Sequence, residues 1–397
     1  MIRVLNIVSV HDKPHGGHYY TALVINGALL KKNGYLVKLL VVGNEKPEWI
    51  EEYNAIFISF NGVNILQVLY SLKDYSSKYD IIHAYDEFAY FFARYISVGN
   101  SRLFYTRCGG KNPENRYFPK VDNLICLSRE NVEFFEDSEK ITSLMYLPNR
   151  VEEFVPNETK IVQLRELLEL PPHPHVPVVL RICRIDDYYL RSIEQTVALS
   201  RELNLHGIEA RPLLIGKVYD YDLLNKLRKK YPQLIIITES LYADNAKSIL
   251  GIADIIVGTG RSLMEAACIG KIVCCPTSNE YLPELIDSEC IEHFFKLNFS
   301  ERGLAQKTVN ENLSKIIHIQ NSKQKKDEYT KWIKEYSKVN FFANAAIEKL
   351  CSLYIEVDGT KQCFKHNLGD FFRQLIRVLS VFVRFTLRKK YENSSYN

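Results

Sequence analysis

Short runs of valine, isoleucine and leucine alternate with longer stretches of helical periodicity along the first half of the chain. The strand-like runs are RVLNIVSV (3–10), YLVKLLVV (35–42), AIFISF (55–60), YDIIHAYD (79–86), RLFYTR (102–107) and VDNLICLS (121–128), with helices predicted over 19–34, 62–76 and 87–96. Runs that are apolar nearly throughout belong to strands covered on both faces, and strands separated by helices pair in parallel. LPNRVEEFVPNETK (147–160) and the Pro/His stretch PPHPHVP (171–177) interrupt the alternation. It then resumes with VVLRICRI (178–185), a helix near 190–204, ARPLLIG (210–216), a helix near 219–230, LIIIT (234–238) and a helix near 243–251. At 397 residues the chain exceeds the size at which one core usually stops growing. The pattern therefore predicts an α/β protein of two doubly wound, Rossmann-like domains whose facing carboxyl edges form a cleft.

One further unit carries the most informative chemistry. Between the strand-like runs ADIIV (253–257) and KIVCCP (271–276) lies GTGRSLMEAACIGK (258–271), a glycine turn followed by a short helix. Gly258 and Gly260 suit a tight turn, Ser262 is a good N-cap, and Gly270 stands where a helix ends. Glu265 is then a lone carboxylate in the first turn of a helix that starts at a strand's carboxyl end, where open α/β sheets bind ligands. Two readings of it are open. Ser262 and Glu265 fit the spacing of a capping box, which needs no ligand, and the same carboxylate fits a contact to ligand hydroxyls.

Composition narrows the class. With 46% hydrophobic and 25% charged residues the chain is an ordinary globular protein. MIRVLNIVSVHD reads as a first strand instead of a signal peptide. The nine cysteines show no metal-type spacing, and several lie in apolar runs, which fits buried thiols in a reducing cytoplasm. No cluster of carboxylates or histidines suggests a metal or other cofactor.

The net charge of +4 resides in one place. Residues 371–391 carry four Arg, two Lys and no acid, which leaves the remainder at −2, so a general nucleic-acid surface is not expected. Wound as a helix, Arg373, Arg377, Arg384 and Arg388 fall within an arc of about 60°, with Phe372, Leu375, Val378, Leu379, Phe382 and Phe385 around the rest. Two readings are again open: an amphipathic helix lying on an anionic membrane surface, or a core or partner-binding helix.

The order and spacing of these segments resemble the retaining glycosyltransferases of family 4, along most of residues 1–355. HGGHYYTALVINGALLKKNGYLVKLLVV is similar to that family's glycine loop and first helix, YDIIHAYDE to its strand ending in histidine and acid, VLRICRIDDYYLRSIEQTVAL to its phosphate-binding strand and helix, and ADIIVGTGRSLMEAACIGK to its acidic donor motif. The resemblance implies the GT-B fold and transfer of a sugar from a nucleoside diphosphate sugar to a hydroxyl of a glycan or lipid-linked acceptor, without a metal. It implies donor contacts at Gly16, Gly17, Arg184, Lys217, Gly258, Thr259, Gly260 and Glu265, with either Arg191 or Tyr189 in place of the family's lysine. Glu265 matches the second glutamate of an E-x7-E pattern, the one that holds the ribose, and Val257 stands where the first would be.

Catalytic contacts are implied for His83, Arg184 and Glu265, although a satisfied buried histidine is the competing reading of His83. Asp86, Arg107 and Lys111 are candidate acceptor contacts, with Gly109 and Gly110 beside them, and Asp86 is also a candidate helix cap. The expected division is 1–155 with a return helix at about 339–355, 156–338 for the nucleotide-sugar domain, and 356–397 for the tail. A peripheral position on the cytoplasmic side of a cell membrane and a part in surface polysaccharide or lipopolysaccharide assembly complete the expectation. An inverting transferase, a nucleotide-sugar epimerase and a non-catalytic scaffold of the same fold are the alternatives.

Overall fold

The structure is a computed structural model that describes all residues except 11–16, 52, 76–77, 98–100, 111, 115–117, 171–175, 357–368, 371 and 382–397. The chain forms two compact units, one made of Met1–Asn149 with Ala343–Asn397 and the other of Arg150–Phe342. The chain thus leaves the first unit after Asn149 and returns to it at Ala343.

In the first unit the order is β1 (Ile2–Val10), α1 (Gly17–Leu30), β2 (Tyr35–Gly43), β3 (Ile56–Ser59), α2 (Ile65–Lys73), β4 (Ile81–Ala84), α3 (Glu87–Ile96), β5 (Arg102–Arg107), β6 (Val121–Cys126), α4 (Arg129–Phe135) and β7 (Ile141–Tyr146). The seven strands lie in the order β3-β2-β1-β4-β5-β6-β7, all parallel. Val4, Leu5, Ile7 and Val8 of β1 are all fully buried, as a strand covered on both faces requires.

The second unit runs α5 (Glu158–Leu167), β8 (Val178–Ile182), α6 (Leu190–Leu205), β9 (Arg211–Ile215), α7 (Tyr221–Lys230), β10 (Ile235–Ile237), α8 (Ser240–Ala243), β11 (Ile255–Val257), α9 (Gly260–Cys268), β12 (Ile272–Cys275), β13 (Glu284–Leu285), α10 (Ile291–Lys296), α11 (Val309–Asn321) and α12 (Lys323–Asn340). Its sheet has the order β10-β9-β8-β11-β12-β13, parallel except for the short edge strand β13. Two glycines end strands where neighbours crowd: a Cβ on Gly216 would lie 1.7 Å from the Cys183 carbonyl oxygen, and one on Gly43 would lie 2.1 Å from that of Val10.

After α12 the chain re-enters the first unit as α13 (Ala343–Glu356), which packs on α1. Residues 372–381 are helical and also belong to that unit's core: Val378 is 2% exposed, and Leu375 packs beside it against the cluster that includes Phe60, Phe92 and Val132. Buried Asp370 pairs with buried Arg94 at 2.9 Å, and Arg377 pairs with Glu87 at 2.5 Å. The described turns of the tail are therefore docked on the protein by one apolar face and two ion pairs, which is the core-helix reading. Phe372, Arg373 and Ile376 remain exposed on them. Residues 382–391, which carry Arg384 and Arg388, lie outside the described residues.

Candidate functional site

In the second sheet the chain leaves β8 toward β9 on one side and continues from β11 toward β12 on the other. The carboxyl ends of β8 and β11 therefore bound the crevice from which the crossovers diverge, the usual ligand position in such sheets. Arg181, on β8, has its guanidinium at this point and is 1% exposed. Its Nε donates to Ser192 Oγ on α6 (3.0 Å), one Nη to the Val257 carbonyl at the end of β11 (3.3 Å), and the other Nη to Thr259 Oγ1 (3.3 Å) and Glu301 Oε1 (3.3 Å). One side chain thus links two strands, a helix, the glycine turn and a loop. Sequence reasoning passed over it, although an arginine inside the apolar run VVLRI was a visible signal.

The loop that carries Glu301 is strapped to the same turn. Gly260 N donates to the Phe299 carbonyl at 3.2 Å, and Asn298 and Phe299 have φ of 53° and 50°, a left-handed conformation that costs a bulky residue on the order of 1 kcal/mol or more. Burial holds it there. Phe299 is fully buried between the rings of Phe295 (5.8 Å) and Phe341 (5.7 Å).

The glycine turn has structural reasons for its composition. A Cβ on Gly258 would lie 2.8 Å from Leu263 Cα, and Gly260 has φ of +49°. Thr259, not Ser262, is the N-cap of α9. Its main-chain N–H donates to Ser262 Oγ at 3.2 Å, in a reciprocal capping box whose second member is Ser262. Of the two readings of Glu265, this removes the box of Ser262 with Glu265, because the helix begins three residues earlier and Glu265 falls in its second turn. Glu265 is left with no capping work.

Glu265 is buried, and Arg261 one turn away stands 3.4 Å from its Oε1. Burial pushes its carboxyl above the usual range, against the attraction of Arg261 and Lys247. The Glu265 Cα lies roughly 9 Å along the helix from that of Thr259, at about 1.5 Å per residue.

Arg184 follows β8 and is a half-buried basic group at this edge, with 42% of its side chain open to solvent. Its guanidinium is held 3.4 Å from Asp186 and over the rings of Tyr189 (5.5 Å) and Tyr219 (5.3 Å). Burial opposes its charge, but Tyr189 and Asp186 outweigh that and keep it firmly protonated. Of the two residues offered above for the lysine position, Tyr189 stands beside Arg184. Arg191 instead turns to main chain, donating from Nε to the Thr277 carbonyl (2.5 Å) and from Nη2 to that of Glu280 (3.0 Å). Lys217 pairs with Asp244 at 2.5 Å.

In the first unit the expected residues take largely internal roles. His83 is fully buried on β4, its Nδ1 2.6 Å from Tyr354 Oη of α13 and its Nε2 2.6 Å from Thr106 Oγ1 of β5. Tyr85 stacks on it with centroids 4.4 Å apart. Burial lowers its pKa to about 3, so it is neutral, with both ring nitrogens partnered in the core, which is the competing reading of His83 given above and not the catalytic one. Asp86 caps α3, accepting from Phe88 N (3.0 Å) and Ala89 N (2.8 Å), and it also accepts from Ser9 N (2.8 Å). Arg107 is buried 3.8 Å from Glu87, the carboxylate that also pairs with Arg377. Asp86 and Arg107, the acceptor candidates among the described residues, thus both have partners inside the first unit. Gly17 opens α1, Gly109 and Gly110 have φ of 87° and 89°, and Gly16 and Lys111 lie outside the described residues.

Among the described residues no three His, Cys, Asp or Glu side chains group to hold a metal, and the eight described cysteines are all free.

No protein-family model and no curated protein matches this chain. Solved structures do. A glycosyltransferase from Rickettsia africae is 15% identical over 89% of this chain and 98% of its own, with a TM-score of 0.63. Anabaena Alr3699/HepE, solved with UDP and glucose, is 15% identical over 89% of this chain and 99% of its own, with a TM-score of 0.62. An E. coli trehalose-6-phosphate structure bound with UDP-2-fluoro glucose is 12% identical over 89% and 99%, with a TM-score of 0.56. At such identities the likeness is one of architecture, and with two largely parallel α/β sheets on the page it leads to one conclusion: the chain has the GT-B fold, built of two Rossmann-like units.

Proposed function

We propose that the protein is a glycosyltransferase that takes a sugar from a nucleoside diphosphate donor, with UDP-sugars first in line, and passes it to a hydroxyl of a glycan or lipid-linked acceptor. The observation that carries this reading is Glu265, a buried carboxylate on α9 that takes no part in capping its helix. A carboxylate accepts hydrogen bonds only, so it suits a diol such as ribose. Arg184, half-buried and firmly charged just past β8, suits the diphosphate and stabilises the negative charge that develops on it as the sugar departs. The UDP, UDP-glucose and UDP-fluoroglucose in the similar structures favour uridine.

Transfer with retention follows if the departing phosphate itself takes the proton of the incoming hydroxyl, which asks for no protein base. His83, neutral in the core, is not available as one. The reading assigns no part to a metal or other cofactor.

A ligand that binds only the folded state raises its melting temperature by mass action. Titrating the purified protein with UDP, GDP, ADP, CMP and their sugar conjugates is expected to give a shift with the UDP family; at a hundred times the dissociation constant it corresponds to about 2.7 kcal/mol. No shift with any nucleotide would remove the donor reading in favour of a scaffold of the same fold. The anomeric configuration of the product separates retention from inversion.

The tail extends the proposal to a peripheral place on the cytoplasmic face of a cell membrane, suited to surface polysaccharide or lipopolysaccharide assembly. No helix among the described residues is long and apolar enough to cross a membrane. Phe372, Arg373 and Ile376 face outward from the docked turns, and the basic residues of 382–391 follow them in sequence. Each basic residue near an anionic surface contributes about 1 kcal/mol at low salt. The protein should therefore sediment with vesicles containing anionic lipid and be released by salt, whereas equal indifference to neutral and anionic vesicles would remove the membrane from the reading.

A further inference from the structure

We propose that Glu301 is a specificity-determining residue of the donor site, the carboxylate that accepts a hydrogen bond from a hydroxyl of the transferred sugar, with Arg181 as the residue that positions it. The proposal rests on the donor reading above and concerns its sugar end. It starts from the place of Glu301 in the second unit. Its Oε1 is 3.3 Å from Arg181 Nη2, which also bonds the N-cap threonine of α9. Its charge is felt by the thiols of Cys183, just past β8, and Cys275, at the end of β12. These neighbours put the carboxylate over the carboxyl ends of β8, β11 and β12, at the point where the crossovers diverge.

Charge decides what such a group meets. A carboxylate repels a diphosphate and accepts from hydroxyls, whereas Arg184 at the same edge does the reverse. A nucleotide sugar offers both kinds of group, and the two residues sort them: phosphates to Arg184, sugar hydroxyls to Glu301. The support beneath Glu301 fits a contact that must be held in place. Arg181 is 1% exposed while the Glu301 side chain is 15% exposed, so the pair buries the cation and leaves the anion at the surface of the unit. An apolar side chain in place of Arg181 would fill a core position without the expense of burying a charge, so stability alone does not explain the pair. The left-handed turn at Asn298 and Phe299 brings the loop back onto Gly260, two residues before Glu301. A strained turn and a buried arginine together fix one carboxylate beside the glycine turn.

The test measures binding of UDP, UDP-glucose and UDP-galactose by calorimetry to the full chain and to Glu301→Gln, whose amide oxygen still accepts from Arg181. The substitution is expected to leave the UDP dissociation constant within about twofold and to raise that of the preferred UDP-sugar about tenfold, the loss of one charged hydrogen bond. An equal loss for UDP and UDP-sugar, or no loss for either, overturns the proposal and leaves the donor reading intact. Failure of the unsubstituted protein to bind UDP or either UDP-sugar overturns the choice of uridine and this proposal with it, and the donor reading falls as well only if GDP, ADP and CMP also fail to bind. Should Glu301→Gln not fold, Glu301→Asp keeps the charge one methylene short and must show the same split between UDP and UDP-sugar.

Discussion

Glu265→Gln is expected to weaken nucleotide binding tenfold or more while leaving the melting temperature unchanged or raising it. The two halves of this result come from opposite effects of one charge. In the complex the carboxylate accepts from ribose hydroxyls, and each hydrogen bond to a charged acceptor contributes about 1.5–3 kcal/mol, where one tenfold step is about 1.4 kcal/mol. In the free protein the same charge is a burden. Burial raises its pKa in the folded state, and Arg261 offsets that in part.

The sign with respect to pH follows. A carboxyl whose folded pKa lies above its unfolded value favours folding while it is protonated, at pH below the unfolded value of 4.5, and that contribution is lost as pH rises through the folded pKa. The amide removes the burden at neutral pH. Nucleotide affinity should in turn increase as pH rises through that same raised pKa, because only the ionised form accepts both hydroxyls, and this dependence should vanish in Glu265→Gln. Unchanged affinity with a lowered melting temperature would make Glu265 a structural residue and remove the central support of the donor reading.

His83 governs the second large effect, on the stability of the first unit in acid. Its pKa falls from 6.5 to about 3 on folding, because burial disfavours the imidazolium. A base with a depressed folded pKa contributes stability that is fully present above 6.5 and is lost as pH falls from there toward 3, at about 1.4 kcal/mol per pH unit. Between pH 6.5 and about 4.5 the loss from this one residue is roughly 3 kcal/mol.

In His83→Gln the titrating group is gone, so the melting temperature should change less steeply over that window. At neutral pH the variant should be less stable by on the order of 1–3 kcal/mol, because an amide of different shape leaves Tyr354 Oη or Thr106 Oγ1 without its partner. Parallel curves for the two proteins would show that the acid sensitivity lies elsewhere. The substituted protein should bind nucleotide as before, as expected for a histidine enclosed in the core of the first unit.

The corrections share one cause. His83, Asp86 and Arg107 each carry chemistry that reads as functional in a linear sequence, and each has partners inside the first unit, some of them distant in the chain. His83 reaches Tyr354 across 271 positions, Asp86 reaches Ser9 across 77, and Arg107 shares Glu87 with Arg377 of the tail. Arg191 likewise finds the carbonyl of Thr277, 86 positions on. Local spacing is blind to such partners. The capping box of α9 failed for a nearer reason: Thr259 and Ser262 are both good capping residues, and the chain enters the helix at the first of them.

What the sequence by itself determined is the alternation of apolar runs and helical segments, and hence two units with parallel sheets, since burial on both faces leaves a local imprint on every strand. It also placed Glu265 on a short helix after a glycine turn, and Arg184 after a strand. Elements with weak or mixed periodicity escaped it: β7, with only Met145 of its residues buried, the helices α4, α5 and α10–α12, and the docking of residues 372–381 through Val378. Tertiary structure alone decided which polar groups were paired with one another. Arg181 and Glu301 stand 120 positions apart, and they meet only because the sheet order puts β8 beside β11 and a left-handed turn at Phe299 brings the loop back over the strand ends. Secondary structure depends on near neighbours, and so is legible residue by residue; the pairing of buried charges depends on what folding brings together.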